Sequence, residues 1–172
     1  ARGGVTRHTY DALGRRLQSQ TTGQIDGVER TLTTRYFYDA NGREVGRLDA
    51  EGYLVEFVYD RAGRRISSIA YATATPAGER AAGGLDQLRP TAAAGDQHSR
   101  AFYDGLGNLV AELDAEGGLI EYVYDQARNQ RAVRAYTLKW APLRGNQTLA
   151  ERLTQAGVAN ARETRRICGA AG

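Results

Sequence analysis

Short apolar stretches recur along the chain, and turn-forming residues separate them at regular intervals. Residues 53–59 (YLVEFVY) and 118–124 (GLIEYVY) show the two-residue alternation of side chains that a β-strand produces. Both faces of each stretch are largely apolar, which predicts strands that are covered on both sides or packed against a neighbouring sheet. No stretch approaches the roughly 20 apolar residues that a membrane-spanning helix needs.

Asp-x-x-Gly sequences separate these stretches. Asp at the first position of a type I turn can accept a hydrogen bond from a backbone N–H two residues on, and Gly at the fourth position tolerates a positive φ. Successive turns begin at positions 39, 49 and 60, which leaves strands of ordinary length between them. The pattern therefore predicts an all-β fold, an antiparallel meander of hairpins. The predicted turn residues are Asp39 and Gly42, Asp49 and Gly52, Asp60 and Gly63, Asp104 and Gly107, and Asp114 and Gly117.

A long internal repeat organises the meander. Residues 35–72 align with residues 100–137, with 19 of 38 positions identical. We therefore expect the two copies to share one structure. The predicted divisions are a partial first repeat at 1–34, a repeat with its connector at 35–99, a second at 100–164, and a degenerate third beginning at 165–172.

The connectors have a different composition from the strands. Residues 72–96 are rich in Ala, Gly and Thr, and 84–89 could form one or two helical turns before Pro90. In the second connector, Thr148-Leu149-Ala150-Glu151 has the spacing of a capping box, which predicts a helix over 148–156. One or two short helices would then cover a face of the sheet, although mobile loops are the alternative.

Tyrosine precedes the aspartate at several of these turns, as in Tyr38-Asp39-Ala40-Asn41-Gly42-Arg43. The frame of Tyr-Asp pairs, Asp-x-x-Gly turns and following arginines resembles the YD-repeat family, also called Rhs (rearrangement hotspot) repeats. The resemblance covers residues 5–138 well, and Arg128 departs from it because Gly is expected there. The repeat tyrosines are Tyr10, Tyr38, Tyr59, Tyr103 and Tyr124.

The resemblance implies an architecture and a setting. Repeats of this family form long curled β-sheet ribbons, which close into hollow shells in toxin complexes, polymorphic toxins and the teneurins. It implies a piece of a large secreted or cell-surface bacterial protein whose partners are further repeats of the parent chain, and possible partners are an encapsulated effector or a surface glycan or protein. Toxin members release the effector by aspartyl self-cleavage, but this chain shows no candidate cleavage block or effector, so neither activity is carried over.

The basic residues do not form a patch. The chain has 22 Arg and the single Lys139, for a net charge of +3, and the arginines follow the repeat. Nucleic-acid binding needs clustered cations on one face, so we expect no nucleic-acid partner. Stacking of Arg on Tyr rings is the alternative explanation.

Candidate chemistry is sparse. A Cys168–His98 pair is possible on paper, but the repeat places Cys168 where Tyr is expected. The Asp49/Glu51 pair and its copy at 114–117 could hold a cation, yet each tip offers few of the six to eight oxygens that calcium takes. We expect no catalytic residue, no metal site and no cofactor.

Two carboxylates at strand centres and the repeat tyrosines are expected to contact other side chains of the sheet. Glu56 and Glu121 lie between apolar residues, and we expect each to form an internal ion pair, with Arg43 or Arg65 serving Glu56. We expect each repeat tyrosine to pack against the tyrosine of the next hairpin, although aromatic rings also stack on sugars. The sequence thus favours a non-catalytic wall, shell or stalk segment, with a glycan- or receptor-binding adhesin module as the alternative.

Overall fold

The computed structural model describes residues 4–125, 127, 130–136 and 161–165. Within these residues the chain forms eleven β-strands, one 3-10 turn (Ala77–Glu79) and one single-turn helix, α1 (Leu85–Leu88). The strands are β1 (Val5–Tyr10), β2 (Arg16–Ile25), β3 (Val28–Tyr38), β4 (Glu44–Leu48), β5 (Leu54–Tyr59), β6 (Arg65–Ala70), β7 (Gln97–Tyr103), β8 (Leu109–Leu113), β9 (Leu119–Tyr124), β10 (Gln130–Tyr136) and β11 (Ala161–Arg165).

The strands follow one another in a meander. Their order in the sheet is their order in the chain, and strand pairs are antiparallel. The predicted all-β fold is therefore confirmed. No helix among the described residues is long and apolar enough to span a membrane.

The two sequence copies pair their strands in the same register. Phe37 lies opposite Gly46 in the first copy, and the equivalent Phe102 lies opposite Ala111 in the second. In both copies a β-bulge follows the phenylalanine, before the tyrosine that opens the turn. The expected correspondence of the copies thus holds for strand pairing.

Contacts divide the chain into two compact units. The first unit comprises residues 1–58 and 69–96, and the second comprises 59–68 and 97–172. These units do not coincide with the long sequence repeats, because the repeat is defined by sequence and the units by contacts. The repeat boundaries stay predictions.

The core of the first unit lies between the sheet and the connector. Leu48 and Leu54 from β4 and β5 are buried together with Tyr71 and Leu88 from the connector. Burying a leucine side chain stabilises a fold by about 2 kcal/mol, so these contacts fix the connector on this face. Leu88 ends the single helical turn α1, which confirms the helix expected within 84–89. The helix expected over 148–156 lies outside the described residues.

A buried aspartate closes the connector. Asp96 is 5% exposed, and its two carboxylate oxygens accept hydrogen bonds from the backbone N–H groups of Ala72 (2.9 Å) and Ala93 (2.8 Å). Because Ala72 begins the connector and Asp96 ends it, this side chain holds the two ends together.

An arginine attaches the same connector to a turn of the sheet. The Arg80 guanidinium donates to the backbone carbonyls of Thr75 and Glu51, at 2.9–3.1 Å. It lies directly against Gly52, where an added Cβ would collide with its Cζ atom. A larger residue at position 52 would therefore collide with Arg80, and it would also be strained because the φ of Gly52 is +95°.

The opposite face of the first unit is less covered than expected. Leu54 is fully buried, whereas its neighbour Tyr53 is 43% exposed. Val55, Phe57 and Tyr59 on the Tyr53 side are half-buried, and Val58 on the Leu54 side is 44% exposed, so each face of β5 is covered only in part.

The core of the second unit repeats the first. Ala111, Leu113 and Leu119 are buried, and Phe102 and Tyr136 pack against them. Leu113 pairs with Leu119 as Leu48 pairs with Leu54 in the first copy.

Replacing two turn glycines by alanine separates backbone strain from crowding. Gly42 has φ +79° and ordinary contacts to Arg15, so Gly42→Ala should lower the free energy of unfolding by about 1 kcal/mol. Gly52→Ala should cost at least about 1 kcal/mol more, since Arg80 must also leave its carbonyls. Urea denaturation of both variants measures the difference, and equal losses would contradict the role given to Arg80.

Candidate functional site

Each Tyr-Asp turn is built around its aspartate. At Asp39, one carboxylate oxygen accepts from the backbone N–H groups of Asn41 and Arg43, both at 2.9 Å. The Gly42 N–H donates to the Asp39 carbonyl at 3.0 Å, which closes the turn. All five glycines predicted to have a positive φ do so, at +79° to +95°, which confirms the turn chemistry: Gly42, Gly52, Gly63, Gly107 and Gly117. Arg128, expected to distort its turn, lies outside the described residues.

The second carboxylate oxygen holds the side chain four residues on. The Nε atom of the arginine donates to the aspartate at 2.6–2.7 Å in three of these turns, and Asn108 Nδ2 donates to Asp104 at 2.8 Å in a fourth. The arginine pairs are Asp11–Arg15, Asp39–Arg43 and Asp60–Arg64. This fixes the guanidinium before it meets another hairpin.

The fixed guanidinium lies on a tyrosine from the next Tyr-Asp hairpin. Arg15 Cζ is 5.0 Å from the ring centroid of Tyr38, and the Tyr38 hydroxyl donates to the Arg16 carbonyl at 3.0 Å. In the second unit Arg64 Cζ is 4.5 Å from the ring of Tyr103. We call this arrangement of aspartate, arginine and tyrosine the clasp; it joins residues far apart in the chain.

The clasp corrects the expectation that repeat tyrosines pack on one another. Tyr38 and Tyr103 pack against guanidinium groups, because the ring face attracts a cation. The Tyr124 hydroxyl donates to the Leu109 carbonyl at 2.9 Å, and Tyr59 is half-buried at the end of β5. Tyr10 is 53% exposed, with His8 at its edge.

The aspartates of these turns favour their charged form. The pKa of Asp39 lies below its ordinary 3.8 chiefly because the Arg43 N–H binds the carboxylate, with the Arg43 guanidinium adding to the effect. Asp11 and Asp60 behave in the same way. At Asp104 the largest cause of the lowered pKa is the Asn108 side-chain amide.

The Asp-Ala-Glu-Gly turns lack a clasp. Tyr53 stands at the fifth position of the first, and Asp49 accepts hydrogen bonds from the backbone of Gly52 (2.8 Å) and Tyr53 (2.7 Å). In the second copy Asp114 accepts hydrogen bonds from the backbone N–H groups of Glu116 (2.9 Å) and Gly118 (2.7 Å), of which the second is equivalent to the Tyr53 bond. Within the described part of the chain, His, Cys, Asp and Glu side chains form no group of three that could hold a metal ion.

Each strand-centre glutamate is paired with an arginine, but the partner of Glu56 is neither of the two that the sequence suggested. Glu56 is 12% exposed and binds Arg89 of the connector at 2.7 and 3.0 Å, instead of Arg43 or Arg65 from a neighbouring strand. Arg43 is held by Asp39, since that aspartate belongs to the same turn. Arg65 lies in β6 and accepts a hydrogen bond from the Tyr103 hydroxyl through its carbonyl, at 3.4 Å.

Both glutamates also bind a tyrosine that the sequence analysis missed. The Tyr71 hydroxyl donates to Glu56 at 3.1 Å, and the Tyr136 hydroxyl donates to Glu121 at 2.9 Å, with Arg134 at 3.3 Å. Burial, followed by the glutamate, raises the pKa of Tyr71 and of Tyr136 to about 12. The two tyrosines occupy equivalent positions of the two sequence copies, a signal that could have found them.

The histidine and cysteine candidates do not form a site in the described residues. His98 is half-buried in β7, and His8 is exposed in β1. Cys168 lies outside the described residues, so the suggested Cys168–His98 pair stays untested.

These features define a β-hairpin repeat protein. Residues 38–78 match the family model of the RHS repeat, which confirms over that segment the resemblance seen in the sequence. No curated protein matches the chain.

Two solved structures share the fold. The TcdB2-TccC3-Cdc42 complex matches 77% of this chain at 19% identity, with a TM-score of 0.53. TcdB2-TccC3 matches 76% at 18% identity, with a TM-score of 0.52. This chain spans about 6% of the length of each of those chains.

The Asp-Arg pairs of the turns predict a loss of stability in acid. A lowered folded-state pKa gives stability that is fully present above the unfolded value, near 3.8, and is lost as the pH falls through the folded pKa. Asp39→Asn should therefore lower the melting temperature at pH 7, and the difference from the unaltered chain should shrink as the pH falls below 3.8. Thermal unfolding between pH 7 and pH 2.5 measures this. Glu29→Gln, at an exposed position of β3, is the control; a pH-independent loss for Asp39→Asn would contradict the electrostatic role.

The two contacts of Tyr38 can be separated by substitution. Tyr38→Phe keeps the ring under Arg15 but loses the hydroxyl bond, so it should lower the free energy of unfolding by about 1 kcal/mol. Tyr38→Leu should cost about 0.5–1 kcal/mol more, because the guanidinium loses its aromatic partner. Tyr10→Leu is the exposed control. Equal effects of Tyr38→Leu and Tyr10→Leu in urea denaturation would show that the clasp does not stabilise the sheet.

Proposed function

We propose that this chain is a non-catalytic structural segment of a large RHS-repeat protein, a strip of its β-sheet wall, shell or stalk. The clasp is the observation that carries the proposal. In the clasp, an arginine of one hairpin contacts a tyrosine of the next. Because the sequence repeats these turn residues, the same contact can join further hairpins to the sheet.

The similar structures support this role through their fold and size. The chain covers about 6% of the TcdB2-TccC3 chain, so a segment of this fold lies within a much longer chain. The partners proposed for this chain are accordingly further repeats of its parent. An encapsulated effector or a cell-surface glycan or protein would be a second kind of partner.

The carboxylates of the turns support a non-catalytic role. The aspartate of each Tyr-Asp turn is already bound by backbone N–H groups and by a side chain, as Asp39 is by Arg43. Glu56 is likewise shared between Arg89 and Tyr71. A general acid or base needs a carboxylate that can reach a substrate, and these groups are occupied by the fold.

The adhesin alternative gains little from the repeat tyrosines. Arg15 covers a face of Tyr38, and Arg64 covers a face of Tyr103, so those faces cannot stack on a sugar ring. A glycan array with the isolated chain separates the two functions, and saturable binding to a defined glycan would favour the adhesin.

The wall function predicts the surroundings of this segment in its parent protein. Electron cryomicroscopy of the full-length parent should show strands before β1 and after β11 that continue the antiparallel order of the sheet. A parent in which domains of other folds flank this segment on both sides would contradict the proposal.

The proposed setting is secretion or display at a bacterial cell surface. Fractionation of cells expressing the tagged parent should place it in the medium or make it accessible to external protease. Retention of all the protein inside intact cells would contradict this part of the proposal.

A further inference from the structure

A groove on the first unit carries side chains that the clasp does not explain. It has a volume of about 510 Å³ and is lined mainly by tyrosine and charged residues. Phe37 of β3 points into the core beneath the connector, so its neighbour Tyr36 faces the opposite side of the sheet. The charged and aromatic lining residues are Tyr10, Arg16, Tyr36, Tyr38, Glu44 and Arg47.

Two arginines lie on the Tyr36 ring in this groove. Arg16 Cζ is 5.5 Å from the ring centroid and Arg47 Cζ is 5.4 Å from it. Arg47 also pairs with Glu44 at 2.9 Å. Arg16 is exposed and, among the described residues, has no carboxylate partner.

Arg16 is an exception within the first unit. Arg15, which lies on Tyr38, is bound by Asp11. Arg35, which lies on Phe37, donates to two backbone carbonyls of the connector at 2.9 and 3.0 Å. The guanidinium groups of Arg15 and Arg35 thus each contact an aromatic ring and also donate to an oxygen. Among the described residues, Arg16 contacts a ring but has no such oxygen acceptor.

The fold does not require this cluster. In the second copy Ala101 pairs with Glu112 at the positions where Tyr36 pairs with Arg47, and the strand register is unchanged. The clasp tyrosine, by contrast, recurs in both copies, as Tyr38 and Tyr103. Tyr36 and Arg47 are thus an addition to the first copy that strand pairing does not need.

We propose that this groove binds an acidic polypeptide segment, with Arg16, held over Tyr36, taking an Asp or Glu carboxylate of the partner. The clasp within this chain shows the same chemistry, since an aspartate carboxylate binds an arginine that lies on a tyrosine. The planar guanidinium fits a carboxylate through two parallel hydrogen bonds. Arg16 and Arg47 together outweigh the single charge of Glu44, so the groove attracts an anion. This interaction goes beyond the structural role and does not depend on it.

Fluorescence anisotropy with a labelled hexaglutamate peptide and the full chain tests the proposal. Arg16→Gln should weaken binding by at least about fivefold, because a charge-assisted pair is lost. Tyr36→Ala should also weaken binding. This substitution introduces the residue that the second copy has at the equivalent position, Ala101. Glu44→Gln should strengthen binding, since a competing carboxylate disappears.

Arg61→Gln is the matched control, because Arg61 is exposed at the tip of the 60–63 turn and its replacement removes the same charge. Its binding should equal that of the unaltered chain, and circular dichroism should show that every variant keeps its strands. Equal losses for Arg16→Gln and Arg61→Gln, or equal binding of hexaglutamine, would overturn the site. Binding of a sulfated polysaccharide or an oligonucleotide that depends on Arg16, with no binding of hexaglutamate, would overturn the choice of a polypeptide partner.

Discussion

A guanidinium can join two hairpins when its own turn fixes it before it meets the second hairpin. Asp60 binds Arg64 within one turn, and the oriented guanidinium lies on Tyr103, which the chain reaches only after the whole connector. The hydrogen bond to Asp60 already orders the long Arg64 side chain. The contact with Tyr103 therefore costs little more conformational entropy than that of ordering the tyrosine ring. The same arrangement fixes Arg15 on Tyr38 in the first unit.

The connector supplies what a meander of short hairpins lacks. A single sheet leaves an apolar face exposed, and the first unit covers that face with Tyr71 and Leu88. Asp96 and Arg80 fix the connector by binding its backbone and a turn of the sheet. These polar contacts hold the connector in place because they satisfy backbone groups that have few other partners.

The sequence predicted the local chemistry well and the distant contacts poorly. Strands, turns and the positive φ of Gly42 and Gly63 follow from the alternation and from Asp-x-x-Gly, since a turn is decided within four residues. The partner of Glu56 could not be derived in this way. Arg89 reaches it from 33 residues away because the connector folds back over the sheet, and no short-range pattern encodes that return. The repeat did contain a usable signal in Tyr71, which recurs in the second copy as Tyr136.

A double-mutant cycle between Arg64 and Tyr103 tests the central role of the clasp most directly. Arg64→Gln, Tyr103→Leu and the double variant, compared by urea denaturation, isolate the energy of the contact between the two side chains. The loss of the Asp60–Arg64 pair is common to both arms of the cycle and cancels. The clasp predicts a favourable coupling of about 0.5–1 kcal/mol. A coupling of zero, with each single variant destabilising independently, would show that the guanidinium and the ring are neighbours that do not hold the hairpins together.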